Sequence, residues 1–243
     1  FFIASLLAKR TDFKSVAVIS IAAAVHVGIL VLEKDLGAAL IYFVTYLMML
    51  YVATMKLRYL AAGAFAGTAA SVVAWQDPWS NMNQGGYQIC QSLFAIGTGG
   101  LFGMGLGQGM PKSVPVVESD FIFSAIAEEM GVIFCIFLIL IYISSFIMFV
   151  NIALKMKKNF YKLCAFGLSV VLIFQVFLSI GGVTKFIPST GVTLPLISYG
   201  GSSIITTIVI FSIIQGMYVR NRREEVTTNE EQAAINRKSG KRQ

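Results

Sequence analysis

Apolar stretches too long for an ordinary soluble core govern how this chain can fold. Six runs of roughly 17 to 25 residues, the length a helix needs to cross a hydrocarbon layer, can be marked out at Val16 to Leu32, Leu36 to Thr54, Tyr59 to Trp75, Phe121 to Leu154, Leu163 to Val183 and Ser203 to Tyr218. Charges are confined to short clusters between them, in a chain of 243 residues that is 56 % hydrophobic with a mean hydropathy of +0.76. A backbone inside lipid must satisfy its own N–H and C=O groups, so such runs become helices. The expected fold class is an all-α integral membrane protein, a polytopic helical bundle. The fourth run is too long for one straight span, and part of it is expected to tilt or to lie in the interface.

The net charge of +7 would suggest nucleic acid in a soluble protein, but its placement argues otherwise. Alternate threading puts Lys9, Arg10, Lys14, Lys56, Arg58, Lys155, Lys157, Lys158, Lys162, Arg220, Arg222, Arg223 and the basic tail on one side. Lys34, Lys112 and Lys185 fall on the other, together with Glu33, Asp35, Asp77, Glu118, Asp120, Glu128 and Glu129. By the positive-inside rule the first side, with the C-terminus, is cytoplasmic. The outer face is acidic, which excludes nucleic acid as a partner and directs attention outward. Cys90, Cys135 and Cys164 are far apart among apolar neighbours and read as packing residues rather than a disulfide framework or metal site. The chain opens on Phe-Phe-Ile-Ala-Ser-Leu-Leu without an initiator Met or signal peptide, and reads as a fragment whose first residues end an earlier apolar segment.

Short connections, Glu33-Lys34-Asp35 and Met55-Lys56-Leu57-Arg58, make antiparallel neighbours of the first three spans. The outer segment from Gln76 to Ser119 is far longer than a simple connection and therefore a candidate for function. Within it, Tyr87 to Ile96 shows helical spacing, and glycines then recur at Gly97, Gly99, Gly100, Gly103, Gly105, Gly107 and Gly109. A short interfacial helix followed by a close-packed loop is expected. No strand precedes the glycines, so they do not form a nucleotide fingerprint. The last outer loop, Thr184 to Ser202, contains Pro188, Gly191, Pro195, Gly200 and Gly201. It cannot be a regular helix, and at membrane depth it must be buried in protein or line a wet cavity. Residues 1–223 are read as the membrane domain and 224–243 as a disordered cytoplasmic tail.

Asp120 stands where the long polar loop meets the fourth apolar run. It suits a helix N-cap or a general base at the water–lipid boundary. Glu118 offers a second carboxylate for acid/base work or for a cation on phosphates, or is a solvated loop charge. Of Glu128 and Glu129, about two turns into the span, one is expected to face the bundle interior, with snorkelling or pairing to an outer lysine as the alternative. Asp35 is a helix cap or a buried partner for a basic residue. Lys112 and Lys185 are outer cations that can hold a pyrophosphate or remain solvated. His26, alone on an apolar span, reads as an interior residue rather than a metal ligand.

The run Tyr87-Gln88-Ile89-Cys90-Gln91-Ser92-Leu93-Phe94-Ala95-Ile96-Gly97-Thr98-Gly99-Gly100-Leu101-Phe102-Gly103, then Gly105-Leu106-Gly107, then Ser119-Asp120-Phe121-Ile122-Phe123 with Glu128-Glu129-Met130-Gly131, resembles the SEDS family of shape, elongation, division and sporulation proteins. Pro188-Ser189-Thr190-Gly191-Val192-Thr193-Leu194-Pro195-Leu196-Ile197-Ser198-Tyr199-Gly200-Gly201 is similar to that family's loop before its last span, and Asp35-Leu36-Gly37 to a shorter motif. Glu33-Lys34 departs from the family's usual Gln-Pro, and Glu118 stands where relatives often carry histidine.

The resemblance implies about six spans of a bundle of about ten, and a peptidoglycan glycosyltransferase that polymerises lipid II outside the bacterial cytoplasmic membrane. It further implies a class B penicillin-binding protein as partner and Asp120 as the catalytic residue. Glu118, Lys112, Asp35, Gly107, Lys185, Ser198, Tyr199, Gly200 and Gly201 are then candidates for the substrate site. No cofactor is marked, and a divalent cation such as Mg or Mn is one way to neutralise the leaving pyrophosphate. The rival classes are a flippase or transporter of lipid-linked precursors, which also uses broken helices, and a non-catalytic scaffold of the division machinery.

Overall fold

A computed structural model of the chain describes residues 1–9, 12–74, 86–110 and 113–239. The described residues form helices α1 (Phe2–Lys9), α2 (Phe13–Leu32), α3 (Leu36–Thr54), α4 (Leu57–Ala74), α5 (Tyr87–Gly99), α6 (Ile122–Leu154), α7 (Asn159–Val183) and α8 (Gly201–Ser239). Five helices are long and apolar enough to cross a membrane, over Lys14–Leu32, Leu36–Thr54, Ile122–Leu154, Asn159–Val183 and Gly201–Thr227. The third apolar run forms a helix, α4, as expected.

The bundle is built around α7. Of its most apolar stretch 61 % is buried, against 28 % for α3 and 17 % for each of the other spanning helices. Small buried residues along α7, among them Ala165, Gly167, Ser169, Ser179, Gly181 and Gly182, allow neighbours to approach closely. One core cluster joins Leu7 of α1, Ile19 of α2, Met49 and Leu50 of α3, and Leu163 of α7. A second joins Ala95 of α5, Phe123, Cys135 and Leu138 of α6, and Val176 of α7 to Leu194 of the last loop. A third packs Phe149 of α6 and Leu172 of α7 on Ile210 and Ile214 of α8. The outer flanks of α2 and α6 expose Val18, Ile21, Val25, Phe137, Leu140 and Ile141, as surfaces solvated by lipid must.

The excess length of the fourth run is resolved by a break rather than by an interfacial or tilted portion alone. At 33 residues α6 would be about 50 Å long as a straight helix, well beyond a hydrocarbon core of about 30 Å. Gly131 interrupts it at φ 83°, ψ 170°, a conformation open essentially to glycine. The main-chain groups freed by the break are met by the glycine-rich loop. Met104 and Gly105 donate to the carbonyls of Glu128 and Glu129 at 2.9 and 3.0 Å, while Val132 and Ile133 donate to Gly100 and Leu101 at 3.0 and 3.3 Å.

The tail also departs from expectation, because α8 continues as helix to Ser239. Residues 217 to 239 contain neither Gly nor Pro, and good helix formers such as Glu, Gln, Ala and Arg dominate the segment. Its first part is tied to the α6–α7 connection: Asn221 Nδ2 donates to the Lys155 carbonyl at 3.3 Å, and Lys158 Nζ lies 3.4 Å from Glu224 Oε1.

Candidate active site

Three segments meet at one end of the bundle: the start of α3, the stretch before α6 and the breaker-rich loop between α7 and α8. Gly37, in the first turn of α3, lies so close to the last loop that a Cβ on it would overlap the Val192 side chain and sit 3.1 Å from the Thr190 carbonyl oxygen. Gly191 holds φ at +67°, and a methyl group on it would sit 3.5 Å from Asp120 Oδ2. The Tyr199 N–H donates to the Glu118 carbonyl at 2.7 Å. The loop thus touches both segments that bear the carboxylates singled out from the sequence.

That loop is irregular but not loose, because side chains from the spans satisfy its main chain, as membrane depth demands. Tyr142 of α6 donates its hydroxyl to the Pro195 carbonyl at 2.5 Å. Gln175 of α7 donates through Nε2 to the Thr193 carbonyl at 3.1 Å and to Ser203 Oγ at 3.4 Å. Thr193 Oγ1 donates to Ser203 Oγ at 3.0 Å. Buried Ser198 closes the loop on itself, its Oγ accepting from the Leu194 N–H at 2.7 Å.

Asp120 is not spent on capping. The residue preceding the first turn of α6 is Phe121, which makes no side-chain cap bond, and the carboxylate of Asp120 is half-buried beside Gly191. Burial pushes its carboxyl above the ordinary aspartate range, opposed by a hydrogen bond from the Ser119 side chain. A half-buried carboxylate with a raised proton affinity beside a rigid loop is chemically suited to take a proton from a bound hydroxyl.

The other candidates separate. The Glu118 side chain is exposed, and the contact it provides is through its carbonyl. Asp35 is an exposed N-cap whose Oδ1 accepts from the Ala38 N–H at 2.9 Å. The cap fixes the start of the helix that carries Gly37. Ser198 is buried and engaged with its own loop, whereas Tyr199 is 79 % exposed and Gly201 is open. Gly200 is half-buried beside Thr193 and Ser203. Lys185 is half-buried in the turn leaving α7, at φ +58°. Gly107 lies exposed on the glycine-rich loop with open space around it, and Lys112 lies outside the described residues.

Sequence reasoning missed the bracing by Tyr142 and Gln175. Each is an isolated polar group on an apolar span, a signal that marks a buried partner without naming it. Among the described residues no three His, Cys, Asp or Glu side chains gather closely enough to hold a metal ion.

The comparisons with known proteins agree with this architecture. The family model described as Cell cycle protein, covering FtsW, RodA and SpoVE, matches residues 1–223. The peptidoglycan glycosyltransferase RodA of Mycobacterium leprae is 37 % identical over 242 residues, covering 88 % of this chain and 52 % of that protein. A probable peptidoglycan glycosyltransferase FtsW of Francisella salina is 36 % identical over 238 residues, covering 90 % and 58 %. The chain thus spans about half the length of the curated relatives it matches. Among solved structures, a peptidoglycan synthase complex described for its coordination of polymerization and crosslinking aligns at a TM-score of 0.72 and 24 % identity, over 90 % of this chain and 66 % of that one. A mutant of the rod shape determining protein RodA of Thermus thermophilus aligns at 0.65 and 26 % identity, over 90 % and 62 %. With a family match over residues 1–223 and a shared helical architecture, the chain is a multi-pass bacterial membrane protein that belongs to the FtsW, RodA and SpoVE family of cell cycle proteins.

Proposed function

We propose that this chain carries the extracytoplasmic site of a peptidoglycan glycosyltransferase that polymerises lipid II, with Asp120 as the general base. The observation that carries the reading is the placement of Asp120: half-buried, free of capping duty, and set beside Gly191 on a loop braced from two spans. The naming of relatives as peptidoglycan glycosyltransferases supports the substrate class. In the reaction, the acceptor sugar hydroxyl attacks the anomeric carbon of the donor as its bond to the polyprenyl pyrophosphate breaks. Asp120 accepts the hydroxyl proton, and the pyrophosphate leaves with the bonding electron pair. Cationic side chains stabilise the charge that develops on it, and Lys185, in the turn after α7, is the described outer-loop candidate. The lipid tails lie along the apolar flanks of the spans.

The site faces outward in this reading because the basic clusters lie at the opposite end of the spans. A class B penicillin-binding protein is the proposed partner, consistent with the solved synthase complex whose fold the chain shares. Transport is the weaker reading. The mid-span polar groups that would suggest a path do not line one: Gln175 is engaged with the loop, and His26, exposed rather than interior as expected, contacts the Ala22 carbonyl at 2.8 Å and the Tyr42 ring.

The test is Asp120→Asn in the full-length protein, assayed for glycan polymerisation from purified lipid II. A loss of at least 100-fold with normal expression is expected, in the range assigned to general-base catalysis. Wild-type polymerisation by the variant would overturn the assignment.

A further inference from the structure

We propose that Glu128 is a positioning residue for glycosyl transfer, a latch on α6 that fixes both ends of the glycine-rich loop and thereby the segment that delivers Asp120. The inference rests on the reading of Asp120 given above. Glu128 is only 6 % exposed, a costly setting for a carboxylate so far from the end of an apolar helix. Its main-chain carbonyl accepts the Met104 N–H at 2.9 Å, and its Oε1 accepts the Met110 N–H at 3.1 Å. One residue therefore grips the loop at two points six positions apart.

The packing leaves no slack around that grip. A methyl group on Gly109 would lie 3.0 Å from Glu128 Cδ and 3.1 Å from Glu129 Cγ, and one on Gly99 would overlap the Ala127 carbonyl. From Met110 the chain has only the stretch to Asp120 before it re-enters α6 about two turns before Glu128. The segment bearing Asp120 enters α6 at Phe121, is held at the Glu118 carbonyl by the Tyr199 N–H, and follows in sequence the loop that Glu128 grips. Slack in the loop at Glu128 would let the carboxylate move, and a misplacement of about 1 Å can cost on the order of 100-fold in rate. Glu128 Oε2 is buried, with no hydrogen-bond partner among the described residues.

The test uses the full-length protein with lipid II as substrate and amide exchange of the loop as a second readout. Glu128→Ala is expected to lower kcat at least tenfold while KM changes less than threefold. It should also raise exchange in the peptide spanning Gly103 to Met110 while peptides of α7 keep their protection. Glu128→Gln, which retains an acceptor for the Met110 N–H, should restore both readouts to within threefold. Should the alanine variant fail to fold, Glu128→Met keeps the volume without the acceptor and is expected to show the same losses. A kcat within threefold of wild type in the Ala or Met variant overturns the latch, as does unchanged loop exchange or failure of Gln to rescue. The reading of Asp120 is separated by Asp120→Asn, which should abolish polymerisation and leave loop exchange unchanged. If that variant still polymerises, the base assignment fails whatever the Glu128 variants show.

Discussion

Replacing Gly131 by alanine challenges the junction on which the site depends. A Cβ built there would overlap Gly103 N and Leu101 O and approach the Phe102 carbonyl carbon to 2.5 Å, and these are main-chain atoms that cannot rotate aside. Two responses are open. The kink can persist, at about 1 to 3 kcal/mol for a non-glycine residue in that region plus the displacement of the loop. Alternatively α6 can straighten, since alanine is the best helix former. Straightening forfeits the four bonds between α6 and residues 100–105, whose lengths run from 2.9 to 3.3 Å. At about 0.5 to 1.5 kcal/mol net each, with averages near 0.6 where such bonds have been measured in membranes, either route costs about 3 kcal/mol.

The assay is thermal unfolding of the full-length protein in detergent, with a drop in midpoint on the order of 10 °C expected, together with glycan polymerisation, expected to fall at least tenfold. Gly97→Ala in α5 is the matched control. A methyl group there meets nothing within 4 Å, so the change should be neutral or stabilising by up to about 1 kcal/mol. A Gly131→Ala protein as stable and active as the Gly97→Ala protein would refute the claim that the break in α6 and the loop sustain each other.

Tyr142→Phe removes the hydroxyl from the buried Pro195 carbonyl and should cost about 1 to 2 kcal/mol of stability, read as a lowered thermal midpoint with a parallel fall in polymerisation; unchanged values for both would remove Tyr142 from the bracing. Gly191→Ala forces a side chain into φ +67°, at about 1 to 2 kcal/mol, and should reduce kcat more than the equally exposed Gly201→Ala; equal kcat values would count against Gly191 as part of the site. For Asp120, burial raises the folded pKa, so the base form fills only above the ordinary aspartate range, and the acid limb of the rate profile should lie higher than for an exposed aspartate. The linkage has the matching sign: the contribution to stability is present at low pH and is lost as pH rises through the folded value, so Asp120→Asn should melt no lower than wild type at neutral pH. A lower melting point there would contradict the burial argument. Asp35→Ala should cost about 1 kcal/mol through loss of the α3 cap and leave KM for lipid II unchanged; a raised KM would instead give Asp35 contact with substrate.

The helices were legible because crossing lipid is a demand each apolar run meets by itself, through its length and through internal hydrogen bonds. That is why the expected boundaries Leu36 to Thr54 coincide with α3, and the end at Val183 with that of α7. Charge clusters between runs are the basis for the proposed orientation, and the motif around Asp120 for the proposed site. What the sequence left open for Asp35, Ser198 and Glu128 was the partner. Each carries a polar group suited to several roles, and the role follows from which main-chain groups are left unsatisfied nearby.

Sequence by itself determined a membrane-spanning helical bundle; its orientation and Asp120 as the proton acceptor are the readings we propose from it. Tertiary structure decided that Gly131 breaks α6, that residues 100–105 supply the lost bonds, that Tyr142 and Gln175 hold the final loop, and that Asp120 is left uncapped beside Gly191. The division follows from the range of the forces. Transfer of apolar side chains into lipid is summed along a local segment, whereas a broken backbone inside a membrane must find donors and acceptors wherever the fold brings them.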